Sequence, residues 1–242
     1  MIELRDVYKK LGSRQILSGM TLRVPKGMNF VLMGPSGSGK SVTLKHVIGI
    51  LRPDAGSVTV DGQEVSTMDR TQLMTLRKRM GYLFQNGALI NWLTVADNVA
   101  LPLEEHSRLG KSELRDRVHE VLGLVDMDHA ASQYPPSISG GMKLRTGLAR
   151  ALVTNPEYVL YDEPNAGLDP EISRSINETI RELKDRLHVT SIVVEHRVGC
   201  IQVVADDVIF LEAGKALVNL PVDEFFRSRH PRIVQFLGEK PD

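Results

Sequence analysis

Eight consecutive residues, Gly34-Pro35-Ser36-Gly37-Ser38-Gly39-Lys40-Ser41, match the phosphate-loop pattern G-x-x-x-x-G-K-[ST]. Glycines in such a loop let successive backbone N–H groups turn inward onto phosphate oxygens. Lys40 then reaches the β- and γ-phosphates as a point charge, and the Ser41 hydroxyl is a ligand for Mg²⁺. Further along, the apolar run Tyr158-Val159-Leu160-Tyr161 ends in two acids, Asp162-Glu163. Near a phosphate loop, one carboxylate can bind Mg²⁺ through water and its neighbour can take a proton from an attacking water. A third stretch, Ile138-Ser139-Gly140-Gly141-Met142, opens a run carrying Lys143, Arg145 and Arg150. Ser-Gly-Gly at a helix start serves either as a plain N-cap after the turn Tyr134-Pro135-Pro136 or as a second anion site built from bare N–H groups. Alone, the cap is the commoner use; a phosphate loop in the same chain favours the anion site.

These groups need elements to hold them. Ile2 and Leu4 alternate with polar residues, as do Met20, Leu22 and Val24, so the chain begins with strands. Phe30 to Met33 reads as a short buried strand running into the phosphate loop, and Val42, Leu44, Val47, Ile48 and Leu51 keep helical spacing beyond it up to Arg52-Pro53-Asp54-Ala55-Gly56. Val58 and Val60 lead into the hairpin turn Asp61-Gly62. From 87 to 150 the pattern is helical, with Leu114, Val118, Val121 and Leu122 following a Ser112 N-cap and Leu144, Leu148, Ala151 and Leu152 repeating the spacing. Strand and helix then alternate again. Tyr158 to Tyr161 is a strand, Ile172, Ile176, Ile180, Leu183 and Leu187 line one helix face, and Ser191 to Glu195 is a β-branched strand, which together predict an α/β fold with a parallel sheet. The expected organisation is one domain over 1–242. Its catalytic core spans 1–86 and 151–220 and includes an antiparallel β subdomain, a helical insertion covers 87–150, and 221–242 forms a C-terminal helical appendage broken near Pro231.

Composition narrows the field. Thirty Lys+Arg against thirty Asp+Glu leave no net charge, which argues against general binding of nucleic acid or anionic surfaces while permitting a small focused anion site. Apolar residues at 42% with 25% charged exclude disorder and collagen-like repeats. Cys200 is the one cysteine, so neither an internal disulfide nor a cysteine zinc site is expected, and a reducing compartment fits. The start Met1-Ile2-Glu3-Leu4-Arg5-Asp6 lacks signal-peptide order, and no apolar run approaches the ~18 residues that span a bilayer. The expectation is a soluble chain whose membrane role comes from a partner.

Six motifs in fixed order resemble those of the ATP-binding subunits of ABC transporters, and the resemblance covers nearly the whole chain. They are Gly34 to Ser41, Phe84-Gln85 in place of the Q-loop, Ser139-Gly140-Gly141-Met142 in place of the signature, Asp162-Glu163-Pro164, Gly167-Leu168-Asp169 in place of the D-loop, and His196 as switch histidine. The resemblance implies the P-loop ABC ATPase fold, with a RecA-like parallel-sheet core, an N-terminal antiparallel β subdomain and an inserted α-helical subdomain. It also implies ATP and Mg²⁺ as ligands. In the implied homodimer the phosphate loop of one subunit and the Ser139-Gly140-Gly141 of the other clamp each nucleotide, with Asp169 contributing. Ser41, Gln85 and Asp162 would hold Mg²⁺, Glu163 would be the general base, Gln85 would contact the lytic water, and His196 would bond the γ-phosphate.

Some positions depart from the family pattern. Leu11 stands where an adenine-stacking aromatic is frequent, with Tyr8 three residues away; Asn165 stands where Thr is common; Arg197 follows His196 where Asp is common. Within the family, Lys40-Ser41-Val42 through Ile48-Gly49, Phe84 to Leu89, Asn98 to Leu103 with Glu105-His106, and Met142 are most similar to MlaF-like ATPases of MCE-type lipid transport systems, with the ATPase of an amino-acid or lipoprotein ABC transporter as the alternative. That implies a separate MlaE-like integral-membrane permease, an MCE-domain lipid-binding protein and a small regulatory subunit as partners, and a place on the cytoplasmic face of the inner or plasma membrane. The apolar loop Ala88 to Leu93 is either subdomain core or a groove for a permease helix. Arg227, Arg229, His230 and Arg232 are either a solvated face or a contact to a neighbouring subunit or regulator. Two other classes compete: a P-loop kinase, and a soluble ABC protein of translation or DNA repair. The kinase has no use for Ser139-Gly140-Gly141 or His196, and the soluble ABC protein usually carries two cassettes, a zinc insert or a long coiled coil.

Overall fold

The computed structural model describes residues 1–107 and 109–238; residues 239–242 of the expected appendage lie outside the described residues. In chain order the strands and α-helices are β1 (Ile2–Leu11), β2 (Arg14–Val24), β3 (Asn29–Met33), α1 (Lys40–Val47), β4 (Ala55–Val60), β5 (Gln63–Glu64), α2 (Arg70–Lys78), β6 (Met80–Leu83) and α3 (Val95–His106). They continue with α4 (Lys111–Leu124), α5 (Gly140–Leu152), β7 (Tyr158–Asp162), α6 (Pro170–Leu187), β8 (Thr190–Val194), α7 (Val198–Val204), β9 (Asp207–Glu212), β10 (Lys215–Pro221), α8 (Val222–Phe226) and α9 (Pro231–Leu237). The chain forms two compact units, Met1–Met74 with the segment from Thr190 onward, and Thr75–Val189. Among the described residues no helix is long and apolar enough to cross a membrane.

In the first unit, β1 pairs antiparallel with both β2 and β4, and β4 with β5. Ile2, Leu4, Val7, Met20, Leu22, Val24, Val58 and Val60 are all buried, the inward face that strict alternation requires. Asp61 and Gly62 both take positive φ, 49° and 78°, and Val60 faces Gln63, which is the two-residue hairpin of primed type expected from Asp-Gly. β3 is buried at every position and pairs in parallel with β8 and β9, while β10 returns antiparallel to β9. A strand covered on both faces needs a continuous apolar run, and Phe30-Val31-Leu32-Met33 supplies one. The helix after the phosphate loop is shorter than its apolar spacing predicts. It ends at Val47 instead of Leu51, because Gly49 adopts φ 66° and its N–H turns back to the His46 carbonyl.

The C-terminal appendage is two short helices, and Pro231 occupies the first position of the second, where its missing N–H is harmless. Phe225 and Ile233 are buried, and the Phe210 ring of β9 meets Phe225 and Phe236. Arg232 pairs with Glu212 of the same strand, so one of the four expected basic residues is committed within its own chain.

In the second unit, β6 and β7 form a parallel pair, Met80 facing Tyr158 and Leu83 facing Tyr161. Helices α3, α4 and α5 pack on one another through Val95, Val99, Leu103, Val118, Val121, Leu122, Leu144 and Leu148, all buried. α3 opens with a capping box, Thr94 accepting from the Asp97 N–H and Asp97 accepting from Thr94. The N-cap of α4 is Gly110, not Ser112; the Glu113 carboxylate accepts the Gly110 N–H at 2.8 Å, which starts the helix earlier. The apolar face of α6 is seated through Ile176, Ile180 and Leu183, with Ile172 and Leu187 half-exposed at its ends.

Candidate nucleotide-binding site

The phosphate loop is shaped by close backbone approach in the first unit. Gly34 leaves β3 with φ 144°, and a Cβ there would lie 2.1 Å from the Leu211 carbonyl oxygen of β9, so only glycine fits. Gly37 and Gly39 also take positive φ, and α1 begins at Lys40 without a side-chain cap. Its dipole end therefore has no resident side-chain acceptor. Lys40 is only 6% exposed, and its Nζ donates to the carbonyls of Gly34 at 2.8 Å and Pro35 at 2.9 Å. Ser38 Oγ is buried with no hydrogen-bond partner among the described residues, an orphan that a bound phosphate would satisfy. These features fit a nucleoside triphosphate. Arg14, at the start of β2, was not anticipated: a Cβ on Gly37 would stand 3.2 Å from its Nη2, so a second cation flanks the loop.

His196 belongs to the same unit. Leu32 of β3 and Val194 of β8 are parallel partners, so the phosphate loop and the turn holding His196 leave the same end of adjacent strands. Glu195 is 2% exposed, and its Oε1 accepts the N–H groups of His196 at 2.9 Å and Arg197 at 3.1 Å. Tyr8 and Leu11, the candidates for stacking on adenine, are both exposed; the Tyr8 hydroxyl lies over Gly19 of β2.

In the second unit, the Leu83 to Tyr161 register brings Gln85 and Asp162-Glu163 to the same end of the β6 and β7 pair. Gln85 is exposed. Asp162 Oδ2 accepts the Tyr82 hydroxyl at 2.9 Å, and burial with the Asp162 charge pushes the Tyr82 phenol well above its ordinary value, keeping it a donor. Glu163 has φ 51°, a left-handed conformation that a non-glycine residue adopts at a cost, and its carbonyl accepts the Ala166 N–H. Asn165, where the family pattern has Thr, is buried and donates from Nδ2 to Asn177 Oδ1 at 2.8 Å; the amide matches a partner on α6.

Ser139, Gly140 and Gly141 form the start of α5, and Ser139 Oγ accepts the Met142 N–H at 3.2 Å as an N-cap. A Cβ on Gly141 would stand 2.8 Å from Ile172 Cγ2, so this glycine lets α5 meet α6. Asp169 caps α6, accepting from Glu171 at 3.0 Å and Ile172 at 2.9 Å. Just after Gln85, Asn86, Gly87 and Ala88 all have positive φ. Gly87 lies against α5, where a Cβ would come 2.5 Å from the Lys143 carbonyl, and Arg150 of α5 donates to the carbonyls of Gly87 at 2.6 Å and Ala88 at 3.0 Å. Burial pulls the Arg150 guanidinium below its usual value.

A cleft of about 320 Å³ in this unit is lined by residues including Tyr82, Phe84, Leu101, Pro102, Glu105 and Arg150. The loop Ala88 to Leu93 is not among its walls. Trp92 is 79% exposed, and the Asn98 amide braces the loop through Ile90, Leu93 and Thr94. Tyr82, Arg150, Glu195 and Arg14 were not singled out as site residues by motif reading; an acid next to a histidine at a strand end was the one available hint, for Glu195.

The ABC transporter family model matches residues 17–166. A protein of Mycobacterium leprae named probable ribonucleotide transport ATP-binding protein mkl is 39% identical over 237 residues, covering 98% of this chain and 68% of that protein. The intermembrane phospholipid transport system ATP-binding protein MlaF of Haemophilus influenzae is 37% identical over 242 residues, covering 100% of this chain and 92% of that one. Among solved structures, the ATP-binding cassette MJ0796, dimeric in a post-hydrolysis state with ADP and Pi, superposes with a TM-score of 0.84 at 30% identity over 92% of this chain and 99% of that chain. Full-length similarity of this kind, on a phosphate loop with the geometry above, identifies the chain as a member of the ABC transporter family: its ATP-binding subunit, an ATPase that acts on ATP with Mg²⁺ as partner ion.

Proposed function

We propose that this subunit powers phospholipid movement through a separate MlaE-like permease, working as a homodimer on the cytoplasmic face of the membrane, with an MCE-domain protein and a small regulatory subunit as further partners. The observation that carries this reading is the collinear match to the Haemophilus phospholipid-transport protein from end to end, appendage included. Lys40 and the N–H groups of the phosphate loop hold the β- and γ-phosphates, and Ser139, Gly140, Gly141 and Asp169 of a second copy close over them. Bound Mg²⁺, held through Ser41, Gln85 and Asp162, neutralises charge on the phosphates. Tyr82 fixes Asp162, Glu163 takes the proton of the attacking water, and His196 contacts the γ-phosphate. The rate comes mainly from positioning and charge stabilisation.

Glu163→Gln keeps size and removes the base. Steady-state hydrolysis should fall by about 10²- to 10⁴-fold while ATP binding and dimer formation persist; undiminished turnover would remove Glu163 from that role. The transported cargo is tested by purifying the tagged chain from detergent-solubilised membranes and identifying co-purified proteins and lipids by mass spectrometry. A permease with an MCE-domain protein and enriched phospholipid is the expected result. The mycobacterial relative's name favours a second reading, ribonucleotide transport, and a complex whose ATPase responds to ribonucleosides and not to phospholipid would replace the first.

A further inference from the structure

We propose that Arg14 is a nucleotide-binding residue whose guanidinium takes the polyphosphate of the bound nucleotide and not its base. Arg14 opens β2 and faces Leu11 across a two-residue turn, where Gly12 adopts φ 59°. The first residues of β2 then run beside the phosphate loop. A Cβ on Gly39 would stand 2.6 Å from Leu17 Cδ2 and 3.3 Å from the Ile16 carbonyl oxygen, and a Cβ on Gly37 would stand 3.2 Å from Arg14 Nη2. The strand is fastened at the β9 to β10 turn as well, where the Ser18 N–H donates to the Gly214 carbonyl at 3.0 Å. The backbone that carries Arg14 is therefore fixed against the loop. Its guanidinium is uncommitted: Arg14 is exposed, and among the described residues its side chain has no hydrogen bond or ion pair. Lys40, by contrast, already donates to the carbonyls of Gly34 and Pro35, two acceptors for the three hydrogens of its ammonium. A guanidinium presents its N–H donors as a planar fork, which matches two oxygens of one phosphate. Placed over Gly37 with no carboxylate to neutralise it, that fork faces the part of the ligand that the loop itself holds.

The inference rests on the phosphate loop as the seat of the nucleotide, and the two can fail separately. Affinity is read by displacement of a fluorescent ATP analogue from the full-length chain in Mg²⁺, with ATP, GTP and inorganic tripolyphosphate, which has no base, as competitors. Arg14→Gln should weaken all three by the same factor, about 5- to 20-fold, the lower part of the range for a charged hydrogen bond because the side chain is exposed. That ratio should narrow as ionic strength rises, which the loss of a packing contact would not do. Arg14→Lys keeps the charge without the fork and should recover part of the loss. A loss for ATP and GTP with tripolyphosphate unaffected would assign Arg14 to the base or ribose, and unchanged affinity for all three would leave it a surface cation; either result overturns the proposal. Lys40→Ala reads the loop on its own. Undiminished binding of all three competitors there removes the loop assignment, whereas a loss there beside an unaffected Arg14→Gln removes Arg14 alone.

Discussion

The phosphate loop and the Ser139-Gly140-Gly141 turn are both glycine-rich helix starts, yet the folded chain treats them in opposite ways. At the loop, α1 begins with no side-chain cap, Ser38 Oγ is buried without a hydrogen-bond partner among the described residues, and Lys40 is drawn into the loop it serves. At α5 the serine is already the cap, and Gly141 is consumed by contact with α6. One start is left incomplete for a ligand, whereas the other is complete as folded and, on the proposed function, meets a nucleotide only when a second copy presents one. Equal glycine content thus hides unequal readiness.

Substitutions can test that contrast. Gly34→Ala should have the largest effect, because its Cβ meets a backbone carbonyl that cannot step aside. A loss of about 2–4 kcal/mol is expected, read as a melting point lower by roughly 4–16 °C, together with weaker ATP binding. Lys40→Ala should come next and should separate binding from folding. ATP affinity in a titration should drop about 10- to 100-fold, the value of a charged hydrogen-bonding partner, with little change in melting temperature. Ser139→Ala should do the reverse, costing about 1 kcal/mol of stability through the lost cap while leaving ATP affinity of the isolated chain unchanged. A weakened affinity there would mean that Ser139 touches the nucleotide bound to its own chain, and the contrast would collapse.

Element types were legible because they depend on local spacing. The apolar run Phe30 to Met33, the Asp61-Gly62 turn and the 3.6-residue apolar spacing of α5 and α6 can each be read from a few neighbouring residues. Boundaries were less so. Apolar spacing continues past Val47 although Gly49 has already ended the helix, and Ser112 is an equally good cap by type until Glu113 is seen closing on Gly110. The phosphate loop announced itself because its chemistry is contiguous. Tyr82 and Arg150 did not, since the partner of one is eighty residues away and that of the other sixty-three, and nothing in either residue's neighbourhood marks it as more than core. The Asn165 departure became intelligible only with Asn177 beside it.

The turn behind Gln85 has a mechanical meaning. Two of its three left-handed residues are tied to α5, Gly87 by its approach to the helix backbone and Gly87 and Ala88 by the Arg150 fork on their carbonyls. A hinge so fastened cannot flex independently of the helix. The backbone just after Gln85 is therefore held by the same helix whose first residues are Gly140 and Gly141.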